Sequence, residues 1–281
     1  MADMIEYGSE MMNVPLHTPQ LERIHDKSVL HQFLIQDRYA NAYLLGKLDQ
    51  AYDPFCKWYG QTDAQGNITN LMLLYQGLSI PVAFFDSAPD KDAHQFFLAC
   101  QSYLPKRFEF HVINENMSAF REIYSIASCQ KMHRMGLDRS HYKPNPELYA
   151  NVKVERLGHR DTAAIMELYQ HYPDHFFEPY QLESGLYFGV RSTTDNSLLS
   201  IGGIHNISPE NVSIIGNLVT RPQARGKGLA TAITARLLDE LFERVSFVAL
   251  NVQFNNNPAI RMYTNFGFGP NNVFYEGRSD I

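Results

Sequence analysis

The sequence feature that most constrains this chain is a turn with two glycines between a strand pattern and a helix pattern. Residues 212–220 form an apolar, strand-like segment, and residues 225–230 follow as Arg-Gly-Lys-Gly-Leu-Ala. Residues 231–241 then have apolar side chains at helical spacing. A strand, a turn and a helix in this order direct several unpaired backbone N–H groups at one point, where the helix dipole adds positive charge. Because Gly226 and Gly228 lack side chains, an anion can approach the backbone closely. The stretch predicts an anion site that suits a pyrophosphate.

A second pattern follows the first along the chain. Residues 247–252 are predicted to form a buried strand, and the Asn-Asn-Asn-Pro sequence of residues 255–258 predicts a helix start with proline in its first turn. Tyr263 and the pair Gly267-Phe268 come next. One helix and one strand therefore separate the two patterns.

Together, the two patterns resemble the GNAT superfamily of acetyl-CoA-dependent N-acyltransferases. The family's cofactor loop has the form Gln/Arg-x-x-Gly-x-Gly/Ala, and its later block has the form Asn-x-x-Ala-x-x-x-Tyr followed by Gly-Phe. The matching residues are Arg225, Gly228 and Ala230 in the loop and Asn256, Ala259, Tyr263, Gly267 and Phe268 in the block. The resemblance covers residues 150–281. It implies an α/β fold with a central mixed, mostly antiparallel sheet flanked by helices.

The resemblance also implies where acetyl-CoA, the acyl donor, binds, and it implies no metal. The strand at 212–220 is expected to splay from the next one and to admit the pantetheine arm. Gly216 interrupts that strand, and such a glycine often marks a bulge or a close backbone approach. Backbone amides near Leu218 and Thr220 would bond the arm and stabilise an oxyanion on the thioester carbonyl. The expected cofactor-binding residues are Leu218, Val219, Thr220, Arg225, Gly226, Lys227, Gly228, Leu229, Ala230, Thr231, Asn256, Ala259 and Tyr263.

Tyr263 is the expected general acid, because the family places a tyrosine at this position near the thioester sulfur. A thiol has a pKa of about 8.5 and a tyrosine of about 10, so a desolvated phenol is a competent proton donor to the departing thiolate. The alternative is a core tyrosine whose hydroxyl bonds a backbone carbonyl. Asn217 is a candidate to face the acceptor, or else an exposed edge position.

The general base is less defined. Many family members have a glutamate on the strand before the phosphate loop, and residues 212–220 contain none. His205, at the end of the preceding predicted strand, has a suitable ordinary pKa. Glu183, in the loop that usually borders the acceptor site, is the second candidate. Either residue can act directly or through a water molecule.

Two prolines among polar neighbours make residues 141–147 the best boundary between two domains. We expect an N-terminal α/β domain at residues 1–143 and a GNAT domain at residues 150–281. The elements predicted in the second domain are strands at 152–157, 187–191, 198–205, 212–220, 247–252 and 274–276, helices at 160–172, 231–241 and 258–265, and a short helix or loop at 176–183.

The N-terminal half has a similar order of patterns and is a candidate degenerate repeat, the alternative being an unrelated α+β cap. The predicted elements are two helices within 21–47, strands at 71–75, 81–85 and 108–113, a helix at 93–103 and the segment 116–124. Where a phosphate loop would lie, residues 86–92 contain three aspartates and no glycine. Because carboxylates repel a pyrophosphate, we expect no CoA site in this half.

The composition excludes several classes of function. The net charge of −6 and the lack of a basic run argue against a nucleic-acid partner. The three cysteines have no paired spacing, which favours reduced thiols and a cytoplasmic location. The acidic start of the sequence lacks the apolar segment of a secretory signal, and no apolar run reaches transmembrane length.

These observations predict an acetyl-CoA-dependent N-acetyltransferase that acts on a primary amine of a small molecule, peptide or protein. The amine would attack the thioester directly. The alternative is a degenerate GNAT module that binds CoA and acts through a protein partner. The sequence also leaves open a longer acyl group, and either a monomer or a homodimer.

Overall fold

The computed structural model describes residues 21–87, 93–172, 177–208 and 211–280. The elements of the N-terminal half are β1 (Glu22–Arg23), α1 (Lys27–Leu34), α2 (Ala42–Gly46), β2 (Cys56–Thr62), β3 (Ile68–Tyr75), β4 (Val82–Ser87), α3 (Ala93–Cys100), β5 (Arg107–Ile113), α4 (Met117–Ile123) and β6 (Ser125–Asp138). Those of the C-terminal half are α5 (Glu147–Ala150), β7 (Val154–Arg156), α6 (Thr162–Tyr169), β8 (Phe188–Arg191), β9 (Leu198–Ser208), β10 (Val212–Thr220), α7 (Leu229–Leu241), β11 (Phe247–Gln253), α8 (Asn257–Asn265) and β12 (Gly269–Asp280).

The strands form one continuous sheet in the order β1-β2-β3-β4-β5-β12-β6-β11-β10-β9-β8-β7. Neighbouring strands are antiparallel except for two parallel pairs, β4–β5 and β10–β11. Each half therefore contributes four antiparallel strands followed by a parallel fifth. This confirms the predicted mixed, mostly antiparallel α/β fold, and the N-terminal half repeats the strand arrangement of the C-terminal half.

The final strand of each half pairs across the middle of the sheet. β12 lies between β5 and β6, and its pairing with β5 runs from Phe274 opposite Ile113 to Asp280 opposite Arg107. β6 in turn pairs with β11 of the other half. The predicted boundary at residues 141–147 lies between β6 and α5, but the two halves share their central strands across it.

The apolar cores follow the same division only in part. One cluster lies around α7 and includes Met135 and Leu137 of β6, and another lies within the N-terminal half around α3 and α4. A third cluster joins the halves, because Leu30 and Leu45 of the first two helices pack with Val212, Ile214 and Phe247 of β10 and β11. The N-terminal helices therefore cover one face of the strands that carry the second half's sequence motifs.

Most predicted elements of the C-terminal half are present, with small changes in length. The helix predicted at 160–172 ends at Tyr169, and the segment predicted at 176–183 is a 3-10 helix over Pro179–Ser184 with Phe176 outside the described residues. The strand predicted at 274–276 is the much longer β12. The patterns missed β2 and β6 altogether, and the first residues of β6 are mostly exposed, which hides the apolar signal of a strand.

Candidate active site

A gap opens where two parallel strands part. β10 and β11 pair from Val212 opposite Phe247 to Ile215 opposite Leu250, although both strands continue beyond these residues. On its other side, β10 has a register shift against β9 between Gly216 and Val219. A bulge bends its strand and strengthens the local twist, so β10 turns away from β11 at this point. This is the splay that the family resemblance implies.

Asn217 occupies the bulge with a φ of 55°. This left-handed conformation strains most residues, but asparagine tolerates it. Its Nδ2 donates hydrogen bonds to Oε1 of Gln181 at 2.9 Å and to the hydroxyl of Tyr187 at 2.7 Å. The carbonyl of Asn217 accepts a bond of 3.0 Å from the hydroxyl of Tyr169. The bulge is therefore fixed by side chains from three other segments, and Asn217 is not an exposed edge position.

The glycine loop lies at the wide end of this gap. Gly226 and Gly228 both have φ of 74°, and Gly228 is the N-cap of α7. No atom lies within 4 Å of a Cβ built on either glycine, so the space beside the loop is open. The first N–H groups of a helix have no partner within the helix. The open space and the helix end together fit the pyrophosphate of CoA.

Tyr172, which follows α6, supports the loop. The hydroxyl of Tyr172 donates to the carbonyl of Thr220, and Nη2 of Arg225 donates to that hydroxyl at 2.9 Å. Arg225 is therefore tied to the end of β10. Lys227 is exposed and does not line the cavity described below.

One cavity of about 1020 Å³ connects the glycine loop, the gap and the N-terminal half. Most of the residues predicted from the sequence line it. They are His205, Asn217, Leu218, Val219, Thr220, Arg225, Gly226, Gly228, Leu229, Ala230, Thr231, Asn256, Ala259 and Tyr263. The exceptions are Lys227 and Glu183. Glu183 is exposed, so the structure does not bring it to the site as a base.

Tyr263 lies on α8 and is 6% exposed. Among the described residues, no group forms a hydrogen bond with its hydroxyl. This differs from the alternative of a structural tyrosine, whose hydroxyl would bond a backbone carbonyl. The corresponding pattern of the N-terminal half ends at Tyr124, whose buried hydroxyl donates to the carbonyl of Phe97 at 2.7 Å. Burial raises the pKa of Tyr263 above its ordinary value, so the phenol stays protonated at neutral pH.

His205 lines the cavity beside the bulge. Its Nδ1 is 3.4 Å from Nε2 of Gln181, and a Cβ on Gly216 would lie 1.9 Å from its Nε2. The imidazole therefore packs against bare backbone, which requires glycine at position 216. Burial, and then the charge of Lys47, lower the pKa of His205 to about 4. The ring is neutral at pH 7 but is a weak base.

The opposite wall of the cavity comes from the N-terminal half and from β12, and sequence reasoning assigned it no role. Its polar members are Tyr43, Lys47, Tyr75, Glu109, His111, Gln130 and Glu276. Lys47 lies 3.8 and 3.9 Å from the ring centroids of Tyr52 and Tyr75, and burial lowers its pKa to about 8. His111 and Glu276 fall in strands that the sequence predicted, but only the pairing of β12 with β5 places them together.

In the N-terminal half, β4 and β5 likewise pair only from Val82 opposite Glu109 to Phe84 opposite His111 although both strands continue, but here the end of β4 is tied to another element. Nδ2 of Asn116 donates to the carbonyl of Ser87 at 3.1 Å and to its hydroxyl at 2.7 Å. These bonds tie the end of β4 to the start of α4, and buried phenylalanines of the N-terminal core pack alongside. Five residues of the acidic segment, 88–92, lie outside the described residues.

Three further features of the described residues concern function. No helix among them is long and apolar enough to cross a membrane. Within the same residues, no three histidine, cysteine or acidic side chains are grouped to hold a metal ion. Cys56 and Cys100 are buried free thiols, and Cys129 is an exposed one.

Comparison with solved structures identifies the fold. A Drosophila protein superposes with a TM-score of 0.70 at 15% identity, over 93% of this chain and 98% of that one. A GCN5-related N-acetyltransferase from Sphaerobacter thermophilus gives a TM-score of 0.63 at 14% identity, over 92% and 95%. A tandem GNAT protein from the clavulanic acid biosynthesis pathway gives 0.55 at 15% identity, over 93% and 98%.

Sequence comparison gives the family. No curated protein matches the sequence. Residues 155–268 match the model of the acetyltransferase (GNAT) family. This match supports acyl transfer as the general class of activity. Residues 155–268 are therefore a GNAT domain, and the fold over both halves is similar to that of a tandem GNAT protein.

Proposed function

We propose that the chain is an acetyl-CoA-dependent N-acetyltransferase that transfers an acetyl group to the primary amine of a small molecule or peptide. The observation that carries this proposal is the continuity of one cavity. It runs from the glycine loop at Gly226 and Gly228, through the gap between β10 and β11, to the hydroxyl of Tyr263. A donor with a pyrophosphate at one end and a thioester at the other suits that path.

The residues of β10 and α7 bind the donor in this proposal. Backbone N–H groups at the start of α7 hold the pyrophosphate, where the helix dipole favours negative charge. Backbone amides near Leu218, next to the fixed Asn217 bulge, stabilise negative charge on the thioester oxygen as the amine attacks. The network of Asn217, Gln181 and Tyr187 keeps that backbone in place before the substrate arrives.

Tyr263 supplies the proton that the departing thiolate needs. Tyr263 lines the cavity, and its hydroxyl has no hydrogen-bond partner among the described residues, so it is available to donate to the sulfur. Burial raises the pKa of a phenol and also that of a neighbouring thiol, because it disfavours both anions. The thiolate is therefore a stronger base in this cavity than in water, but Tyr263 is also a weaker acid, so the transfer depends on the proton that Tyr263 can regain from the attacking nitrogen.

The experiment is a measurement of free thiol released from acetyl-CoA in the presence of a panel of amines, including small amines, amino acids and peptide N-termini. Turnover with one class of amine, together with a mass increase of one acetyl group on that amine, supports the proposal. Calorimetric binding of CoA without turnover on any amine would contradict it and would favour a degenerate module that acts through a partner.

A further inference from the structure

Glu276 is a carboxylate on the wall of the cavity where β12 meets the N-terminal half. It lies on β12, where it pairs with His111 of β5 on one side and Gln130 of β6 on the other. Residues directly opposite each other on neighbouring strands present their side chains on the same face of a sheet. All three residues accordingly line the cavity. The side chain of Glu276 is 19% exposed.

The carboxylate of Glu276 has no partner that neutralises it. Among the described residues it forms no hydrogen bond and no ion pair with lysine or arginine. Its Oε2 is 3.9 Å from Nε2 of His111. However, burial, Arg134 and His205 lower the pKa of His111 to about 3, so the ring carries no positive charge at neutral pH.

The other charged groups around Glu276 are engaged elsewhere. Glu109 accepts a bond of 3.3 Å from Nη2 of Arg278. Nε of Arg134 donates to Oδ1 of Asn251 at 3.3 Å, and its Nη1 donates to the carbonyl of Ala40. Burial and the charge of Glu109 raise the pKa of Glu276 to about 7, against the opposing effect of Arg134.

Glu276 and the expected acid, Tyr263, share a neighbour in the cavity. The phenol of Tyr43, on α2, lies within electrostatic reach of Glu276, Tyr263 and Arg134. Tyr43 therefore stands near both the carboxylate and the hydroxyl in the same cavity. General acid–base catalysis needs one group that accepts a proton and one that donates a proton. A carboxylate and a phenol that line the same cavity can provide these two groups.

We propose that Glu276 binds the ammonium group of the acceptor and takes its proton, which makes the N-terminal half the acceptor wall of the site. This inference rests on the function proposed above. The carboxylate becomes a carboxylic acid, and the amine is left neutral. Its lone pair attacks the thioester carbon, so that a C–N bond forms and the C–S bond breaks.

The protons balance across the full reaction. Tyr263 protonates the departing thiolate. The nitrogen is positively charged after the attack, and it returns a proton to Tyr263. Glu276 returns its own proton to solvent when the product leaves. Neither His205, a weaker base, nor the exposed Glu183 is needed as the proton acceptor. β12 pairs with β5 and β6 of the N-terminal half, and these pairings position Glu276. The proposed site therefore needs the N-terminal half.

The test compares Glu276→Gln with Glu243→Gln, which changes an exposed glutamate just after α7 that does not line the cavity. For the wild type, kcat/KM for the amine should rise with pH through about 7. Glu276→Gln should lose that rise and about 10²–10⁴ in kcat/KM, while its calorimetric Kd for acetyl-CoA stays within about twofold. Glu243→Gln should match the wild type. Partial recovery of the rate by Glu276→Asp would support a role for the carboxylate.

Two outcomes separate the inference from the function on which it rests. Wild-type turnover that survives Glu276→Gln with the same pH profile would overturn the assignment of Glu276 alone. A wild type that binds acetyl-CoA and turns over no amine would overturn the proposed function together with this assignment. Circular dichroism and thermal melting of each variant establish that a loss of rate is not a loss of folding.

Discussion

Nδ2 of Asn217 donates to the hydroxyl of Tyr187 over 2.7 Å, and this bond holds a residue with positive φ at the point where β10 turns away from β11. Tyr187 is fully buried and its hydroxyl also donates to Gln181 at 2.8 Å. A buried triangle of hydrogen bonds therefore fixes the backbone that is expected to face the thioester.

The bulge gives a first prediction, on stability. Asn217→Gly keeps the left-handed backbone but loses two side-chain bonds, which contribute about 0.5–1.5 kcal/mol each. Asn217→Ala loses the same bonds and also strains the backbone, which adds roughly 1 kcal/mol. Urea unfolding should therefore rank the wild type above Asn217→Gly and Asn217→Ala below both. Equal stabilities for the two variants would mean that position 217 does not need the left-handed conformation.

The fold was predictable from the sequence where its signals are local. The glycine loop, α7, β11 and the start of α8 lie within about 35 consecutive residues, and each follows from periodicity, capping or turn chemistry. Tyr263 was found for the same reason, as part of a block of fixed spacing. The structure places it in the cavity, as the resemblance implied.

The rest of the site depends on pairings between distant residues. Nothing in the sequence of β12 shows that it inserts between β5 and β6, so Glu276 could not be placed opposite His111. Sequence reasoning left the base open between His205 and Glu183, the latter from its loop position, but the side chain of Glu183 is exposed. The sequence marked Gly216 as an irregular position in its strand. The reason for a glycine there is the packing of His205 against it, which only the register of β9 and β10 shows.

A second prediction uses the paired tyrosines of the two halves. Tyr263→Phe removes a hydroxyl that has no partner among the described residues, so stability should barely change, whereas kcat should fall by about 10²–10⁴ with little change in KM for acetyl-CoA. Tyr124→Phe is the matched control. It leaves the carbonyl of Phe97 without its 2.7 Å donor, which should cost roughly 1–3 kcal/mol of stability, while the rate per folded molecule survives.

Thermal melting and kinetics on the same preparations separate the two roles of these tyrosines. A fully active but destabilised Tyr263→Phe would show that Tyr263 is structural and that a water molecule or another residue protonates the thiolate.

The third prediction concerns the phosphate loop. In Gly228→Glu a carboxylate at the start of α7 repels the pyrophosphate, so calorimetry should detect no CoA binding by a folded protein. The backbone strain of a side chain at φ 74° must be controlled for. Gly66→Glu supplies that control, because Gly66 has a φ of 84° and open space around it but does not line the cavity.

Titration of the wild type should also reach saturation at one CoA per chain, because Asn116 and Ser87 tie the corresponding region of the N-terminal half together. Gly66→Glu should bind CoA as the wild type does. A stoichiometry near two, or unchanged affinity in folded Gly228→Glu, would show that the anion site has been assigned to the wrong loop.

The last prediction tests the environment of Glu276 without any substrate. Its pKa is raised from an ordinary value of 4.5 to about 7, so the folded protein binds more protons than the unfolded chain between these pH values. The stability that the protonated carboxyl gives is therefore fully present below the lower value and is lost as the pH rises through about 7. Glu276→Gln cannot ionise and escapes this loss.

The free energy of unfolding of Glu276→Gln, relative to the wild type, should accordingly increase by about 1–3 kcal/mol between roughly pH 5 and pH 8. His111 and His205 are present in both proteins, so the loss of stability that they cause on acidification largely cancels in the comparison. Urea denaturation at several pH values measures the difference directly. If the difference in the free energy of unfolding between Glu276→Gln and the wild type is the same near pH 5 and near pH 8, the carboxyl of Glu276 titrates as an ordinary glutamate. Its burial near Glu109 and the neutral His111 would then not keep it protonated.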